Sequence, residues 1–116
     1  MTENEAGPTI QTVTSANFGP LVLEAKVPTV VEFMSYGCSH CRAIEPVLQQ
    51  VARMLESEDK IVRVNTAIDQ GLAEQYEIRG TPTLIVFLHG AIVGRVEGPS
   101  PDVTSVLTAI RQPQEN

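Results

Sequence analysis

Cys38 and Cys41 are the residues of this chain best suited to chemistry. They are its only cysteines, and they lie between an apolar run at 29–34 and a helical pattern of apolar residues at 44–55. The first turn of a helix carries free N–H groups and the positive end of the helix dipole, which favour a thiolate. Cys38 would therefore act as the nucleophile of disulfide exchange. Because Cys41 follows one turn later, it is placed to attack the sulfur of Cys38, so the pair predicts a dithiol–disulfide switch.

Other uses of the two cysteines fit the sequence less well. Two are too few for a disulfide scaffold in a chain of 116 residues. A structural zinc site takes four ligands, and the further soft ligands are His40, inside the motif, and His89, far along the chain. Such a site would close only if two chains shared the metal. Redox use is therefore favoured, with no metal and no bound organic cofactor.

Composition and charge argue against several classes of partner. The formal net charge is −6 and the pI is about 4.8, whereas nucleic acid and anionic membranes bind basic surfaces. No apolar run approaches the ~20 residues of a bilayer span, and the N-terminus does not resemble a secretory signal. We therefore expect no nucleic-acid partner and no membrane association. A cytoplasmic monomer is the simplest expectation, and a periplasmic location stays open if a signal peptide has been removed.

The pattern of apolar residues predicts alternating strands and helices. Strands are predicted in five segments, at 9–13, 29–34, 60–65, 84–88 and 91–97. The last two form a hairpin about the His89-Gly90 turn, and Gly94 indicates a bulge or an edge position. Strands separated by helices favour parallel crossovers, whereas the hairpin adds an antiparallel edge. The order predicts an α/β fold with a central mixed β-sheet and helices on both faces.

Proline and capping residues predict where the helices begin and break. Gly19-Pro20 predicts a first helix that is broken or starts late, and a second helix from Cys38 to about Ser57 is expected to kink at Pro46. Asp69 is expected to cap a short third helix, and Pro101 to open the last one.

The polar ends of the chain bound the folded part. Residues 1–8 are expected to form a flexible N-terminal segment and 112–116 a flexible tail. One domain is therefore predicted over 9–111.

Glu32 is a charged residue within a predicted strand that is otherwise largely apolar. An ionised carboxylate in a buried strand costs several kcal/mol unless it is paired, and it usually responds by a raised pKa. The pleat of the strand would relieve this by turning Glu32 toward solvent or a nearby arginine. Alternatively, Glu32 lies beneath the cysteine pair and takes part in its chemistry, which is the interpretation we favour.

The chain resembles the thioredoxin family over nearly its whole length, from about Thr9 to Arg111. Separated landmarks match in order, and an ordered set is far more specific than an isolated Cys-x-x-Cys. The landmarks are Val31-Glu32-Phe33, Cys38-x-x-Cys41, Pro46, Tyr76-x-Ile78-Arg79-Gly80-Thr81-Pro82-Thr83, Phe87, Gly90 and Gly98. The resemblance implies a thioredoxin-like fold and a protein-disulfide oxidoreductase. Its partners would be protein disulfide substrates and a thioredoxin reductase-like electron donor.

The resemblance also implies a role for each matched residue. Cys38 corresponds to the exposed nucleophile and Cys41 to the buried resolving thiol, and the two would form the redox disulfide. Pro82 matches the family's cis-proline, which faces the cysteines. The backbone at Thr81 would pair with an extended substrate segment. Glu32 stands where the family has a buried aspartate that handles the proton of the resolving cysteine.

The surface around Cys38 departs from the family pattern. The chain has no tryptophan, and Met34 and Gly37 occupy positions where thioredoxins commonly carry one. Tyr36 supplies the nearby aromatic ring. Tyr36 and Gly37 are therefore expected to contact substrate through an altered surface. This departure motivates an alternative function, a thioredoxin-fold binding module with little redox turnover.

His40 is the second departure from the family. Ser39-His40 replaces the common Gly-Pro between the cysteines, and a histidine before Cys41 resembles disulfide-forming oxidases and isomerases of the superfamily. An imidazolium near Cys38 would favour the thiolate and so make the disulfide easier to reduce. The protein is therefore expected to be less reducing than a Gly-Pro thioredoxin, and a disulfide oxidase or isomerase is a further alternative.

Overall fold

The strands form one mixed sheet in the computed structural model, which describes residues 10–55, 60–97 and 101–111. The strands of the described residues are β1 (Gln11–Thr12), β2 (Thr29–Met34), β3 (Lys60–Asn65), β4 (Thr83–Leu88) and β5 (Ala91–Val96). Their order is β1-β3-β2-β4-β5. β3 is parallel to β1 and β2, whereas β4 is antiparallel to β2 and β5. The predicted mixed sheet with an antiparallel edge is confirmed.

The helices occupy the connections between strands and the end of the domain. In the described residues they are a π-helix (Gly19–Leu23), α1 (Ser39–Ala43), α2 (Glu45–Met54), α3 (Gln70–Gln75) and α4 (Val103–Arg111). None of these helices is long and apolar enough to cross a membrane. The predictions for 1–8, 112–116 and Gly98 lie outside the described residues.

Two apolar cores lie on opposite faces of the sheet. Successive side chains of a strand point to opposite faces, so Val30 belongs to one cluster while Val31 and Phe33 belong to the other. The first cluster joins the sheet to α2 and α4, and the second joins it to the π-helix and α3. Every residue of β2 is buried. The prediction of a central strand covered on both faces is confirmed.

The helix after the cysteines is divided, which corrects the expectation of one helix kinked at Pro46. Ile44 separates α1 from α2 with φ −92° and ψ 0°. Pro46 then lies in the first turn of α2, where its missing N–H is not needed for the helix. α2 ends at Met54 because Leu55 is extended, with ψ 154°. The predicted end near Ser57 was therefore too late.

One predicted cap lacks its hydrogen bond, and one predicted helix start was two residues too early. Asp69 precedes α3 but makes no side-chain cap; its Oδ2 instead accepts a hydrogen bond from the Ser15 N–H at 2.7 Å. The last helix begins at Val103, two residues after Pro101. Asp102 precedes it, and its Oδ1 accepts from the Ser105 N–H at 2.8 Å. The π-helix agrees with the predicted late start, since Pro20 lies in its first turn.

The β4–β5 hairpin brings the sheet edge against α4. His89 and Gly90 form the predicted turn with φ 54° and 82°, as turns of this kind require. Val86 pairs with Gly94 and Phe87 with Ile92, so the register shifts at a bulge. A Cβ built on Gly94 would lie 3.0 Å from the Ala109 carbonyl oxygen of α4. Gly94 thus lies on an edge strand, at the bulge, where β5 comes close to the backbone of α4.

Alanine substitutions at Gly94 and Gly71 should have opposite effects on stability. The new methyl at Gly94 would press on the α4 backbone, so we expect Gly94→Ala to lower the free energy of unfolding by about 1–3 kcal/mol. Gly71 is exposed in α3 and its added Cβ would meet no atom within 4 Å. Gly71→Ala should therefore raise that free energy by about 0.5–1 kcal/mol. Urea unfolding measures both, and equal effects at the two positions would contradict the close approach.

Candidate active site

The end of β2 delivers Cys38 to the start of a helix. Cys38 is the N-cap residue of α1, with φ −88° and ψ 109°. Its Sγ accepts a hydrogen bond from the Cys41 N–H at 3.0 Å. Cys38 and Cys41 form a disulfide, with their Cα atoms 5.2 Å apart. The strand-to-helix position that the sequence predicted for the pair is therefore confirmed.

The two sulfurs differ in their access to solvent. Cys38 is half-buried at the helix start, whereas Cys41 is only 3% exposed. Another protein would therefore meet Cys38 first. A thiolate at Cys38 would keep the Cys41 N–H as a donor, because the sulfur already caps the helix.

The loop before β4 faces the disulfide. The Thr81–Pro82 peptide bond is cis, as the resemblance implied. The Thr81 carbonyl oxygen lies 3.4 Å from Cys38 Sγ, and Pro82 is buried while Thr81 is half-buried. The Thr83 hydroxyl donates to the Gly80 carbonyl oxygen at 2.7 Å, which ties the two sides of the loop together. Cys38 is thus flanked by a fixed, partly accessible stretch of backbone.

Glu32 lies in the core and lines a cavity together with Cys41. Its side chain is 1% exposed, and its Oε1 is 3.2 Å from Arg63 Nε. These two atoms form no hydrogen bond with each other or with any other described residue, so the contact is an ion pair of poor geometry. Glu32 and Cys41 line one cavity of about 400 Å³. The nearby arginine and one cysteine of the pair, Cys41, are therefore present, whereas the solvent-facing orientation is not.

Burial sets the protonation of Glu32. Loss of hydration raises the pKa of its carboxyl from 4.5 to about 7, although the Arg63 charge lowers it; the Glu45 charge raises it further. A carboxyl with such a pKa can both accept and donate a proton near neutral pH. The electrostatics thus fit a group that exchanges protons with Cys41.

The remaining predicted residues lie at the surface around Cys38. Tyr36 is 70% exposed, and Gly37 and His40 are also exposed. The backbone before Gly37 is held by Arg42, whose Nη1 donates to the Tyr36 carbonyl oxygen at 3.0 Å. Tyr36 is therefore the large side chain that an approaching protein would contact beside Cys38.

Arg63 and Glu45 belong to the site but were not predicted from sequence. Arg63 lies directly opposite Glu32 in the β2–β3 register, and its Nη2 donates to Glu45 Oε1 at 2.8 Å. A charged residue inside the apolar segment 60–65 was an available signal for Arg63. Glu45 carried no such signal, because a glutamate in the first turn of a helix is ordinary. No group of three or more His, Cys, Asp or Glu that would hold a metal occurs among the described residues.

The fold and this site define a class of protein, the thiol–disulfide oxidoreductases. A Cys-x-x-Cys disulfide caps a helix, a cis-proline loop faces it, and a buried carboxyl lies behind it. This combination suits exchange between thiols and disulfides.

Comparison with known proteins identifies the family. Residues 9–110 match the family model described as Thioredoxin. Thioredoxin 1 of Synechococcus elongatus is 39% identical over 92 residues, which are 79% of this chain and 86% of that protein. Thioredoxin 1 of Nostoc sp. has the same identity and coverage, and the thioredoxin of Synechocystis sp. is 35% identical over 96 residues, 83% and 90% of the two chains. The chain belongs to the thioredoxin family, and its activity is that of a protein-disulfide oxidoreductase.

The raised pKa of Glu32 should make stability depend on pH. Between pH 4.5 and 7 the unfolded chain has lost this proton while the folded chain keeps it, so the free energy of unfolding falls as pH rises and levels off above pH 7. From pH 5 to pH 8 we expect a loss of about 2–3 kcal/mol from this residue. Glu32→Gln should remove that loss.

Urea unfolding of wild type and Glu32→Gln at both pH values measures the effect. Glu24→Gln is the matched control, because Glu24 is exposed and the substitution changes the net charge equally. If Glu32→Gln loses as much stability between pH 5 and pH 8 as the control does, Glu32 does not titrate in this range.

Proposed function

We propose that the protein reduces disulfides of protein substrates, with Cys38 as nucleophile, Cys41 as resolving thiol and Glu32 as the proton acceptor for Cys41. The observation that carries the proposal is the asymmetry of the pair at the start of α1. The Cys38 sulfur accepts the Cys41 N–H at 3.0 Å and is partly accessible, whereas Cys41 is buried beside Glu32. One sulfur is therefore suited to attack and the other to resolution.

The reaction begins from the dithiol. The Cys38 thiolate attacks one sulfur of the substrate disulfide and forms a mixed disulfide, and the other substrate sulfur leaves as a thiolate that takes a proton from water. Cys41 then gives its proton to Glu32 and attacks Cys38 Sγ. The bond between Cys38 and the substrate breaks, and the second substrate sulfur leaves as a thiolate that takes a proton from water, while Glu32 returns its proton to water. Two electrons pass to the substrate, and a Cys38–Cys41 disulfide remains.

The substrate would bind across the exposed end of the site. We expect an extended segment to pair with the backbone at Thr81 next to Pro82, with Tyr36 and Gly37 forming the opposite contact. Two observations support this arrangement. The Thr81 carbonyl oxygen is 3.4 Å from Cys38 Sγ, and a cavity of about 350 Å³ is lined on one side by Gly80 and Thr81. A backbone pairing of this kind accepts many sequences, as a general reductant requires.

The cycle needs an external donor of electrons. Thioredoxin family membership implies a reductase that returns the Cys38–Cys41 disulfide to the dithiol. We propose that a thioredoxin reductase-like protein plays this part, that the protein works in the cytoplasm as a monomer, and that residues 9–111 form its one domain. The names of the relatives, all thioredoxins, support the first of these proposals.

Serine substitutions should separate the two cysteine roles. Cys38→Ser should abolish reduction of insulin disulfides, because no thiolate remains at the accessible position. Cys41→Ser should still attack but accumulate the mixed disulfide, because nothing displaces the substrate from Cys38. Turbidity of insulin measures turnover and a non-reducing gel shows the trapped species. Reduction by Cys38→Ser at the wild-type rate would refute the mechanism.

His40 should raise the reduction potential only slightly. Its side chain is exposed, and exposed charge interactions are worth about 0.2–1 kcal/mol, which is at most ~20 mV for a two-electron couple. His40→Asn should therefore make the protein more reducing by no more than about this amount, measured against glutathione buffers. His89→Asn, at the far end of β4, is the matched control and should leave the potential unchanged. A fall much larger than ~20 mV would show that His40 interacts strongly with Cys38.

A further inference from the structure

Two carboxylates compete for one guanidinium behind the cysteine pair. Arg63 donates from Nη2 to Glu45 Oε1 at 2.8 Å, which is a hydrogen bond. Its Nε is 3.2 Å from Glu32 Oε1, but neither of these atoms has a hydrogen-bond partner among the described residues. Arg63 is thus hydrogen-bonded to Glu45 and forms with Glu32 only an ion pair without a hydrogen bond.

Glu45 is itself held in place. It is the first residue of α2, and its Oε2 accepts a hydrogen bond from Gln49 Nε2, one turn later, at 3.0 Å. Its side chain is 38% exposed, whereas that of Arg63 is 18% exposed and that of Glu32 only 1%. The partly exposed carboxylate of Glu45 therefore has a hydrogen bond with Arg63, whereas the buried carboxylate of Glu32 has none.

The arrangement borders a cavity that Cys41 also lines. Glu32, Glu45 and Arg63 line the same cavity of about 400 Å³ as Cys41. The exposed Tyr36 and Arg42 also line it, so the cavity reaches the protein surface. Glu45 and Arg63 therefore border the cavity that Cys41 and Glu32 share.

We propose that Glu45 is a positioning residue for the resolving step: its carboxylate holds the Arg63 guanidinium in a hydrogen bond, so that Glu32 stays without one and remains able to take the proton of Cys41. A buried carboxylate bound by a guanidinium is stabilised in its charged form and becomes a weaker base. Glu45 prevents this by keeping the Arg63 guanidinium in its own hydrogen bond. The positive charge of Arg63 still lies close enough to stabilise Glu32 once Glu32 is ionised. The inference rests on the proposed function, because it assigns Glu32 a role in the reaction of Cys41.

The charged and titratable groups that line the cavity with Glu32 come from three neighbouring elements and one loop. Arg63 lies on β3, Cys41 and Arg42 on α1, Glu45 on α2, and Tyr36 in the loop between β2 and α1. Of these, Glu45 and Arg63 act on Glu32 with opposite sign. Removal of the Glu45 charge would therefore lower the pKa of Glu32, and a turn of Arg63 toward Glu32 would lower it as well.

Glu45→Gln is the direct test. Arg63 would turn to Glu32, and we expect the titration midpoint of Glu32 to fall by about one pH unit or more. Carbon-13 NMR of the labelled glutamate carboxyl groups in the disulfide form measures this midpoint without any turnover. Glu24→Gln, an exposed site with the same charge change, should leave the midpoint where it is in wild type.

A second variant separates the hydrogen bond from the charge. In an Arg63→Gln background there is no guanidinium to release, so Glu45→Gln should move the Glu32 midpoint much less than it does in wild type. An equal shift in both backgrounds would show that Glu45 acts on Glu32 through charge alone, and it would overturn the proposal. An unmoved midpoint in Glu45→Gln itself would overturn it too.

The kinetic arm connects the arrangement to the reaction. The resolving step, followed by stopped flow as release of substrate from the mixed disulfide, should have a pH midpoint that moves down in Glu45→Gln together with that of Glu32. A shift of the Glu32 midpoint with no change in the resolving step would refute the positioning role. If wild type reduced no protein disulfide at all, the proposed function would fail, whereas the NMR result would still test the Glu45–Arg63–Glu32 arrangement.

Discussion

The hydrogen bond from the Cys41 N–H to the Cys38 sulfur is the contact on which the rest of the site depends. The first N–H groups of a helix have no partner within it, and α1 is only five residues long. The sulfur of Cys38 supplies that partner at 3.0 Å. The same atom is the proposed nucleophile, so the interaction that starts the helix would also favour its charged form. Local stability and reactivity therefore have one cause.

A buried carboxyl behind this helix is the second constraint. Every residue of β2 is buried, so Glu32 loses its hydration, and an apolar side chain of similar size would stabilise the strand more. Arg63 compensates only in part, because it forms its hydrogen bond with Glu45. Retention of an ionisable group at such a cost is typical of functional sites. In this chain it puts a carboxyl with a pKa of about 7 in the cavity that Cys41 also lines.

Local sequence rules succeeded where one interaction dominates and failed where two compete. The apolar segment of β2 has no good alternative to a central strand, and the His89-Gly90 turn has few alternatives to a hairpin. Pro46 can kink a helix or start one, and the chain uses it in the first turn of α2. Asp69 has the residue type of a cap, but its carboxylate accepts the Ser15 N–H instead. That partner lies 54 residues away in sequence, so no local pattern reveals it.

The sequence by itself determined the reactive pair, the cis-proline loop as a family landmark, and the alternation of strands and helices that makes a mixed sheet. The reactive pair and the alternation follow from spacings within about one helical turn or along one strand, which covalent geometry largely controls, whereas the cis-proline loop was implied by the resemblance. The burial of Cys41 and the place of Glu32 in its cavity agree with what the resemblance and the favoured interpretation predicted. Only the tertiary structure decided that Arg63 forms its hydrogen bond with Glu45 rather than with Glu32. Such contacts join separate elements, because their distances depend on strand register and on how each helix packs against the sheet.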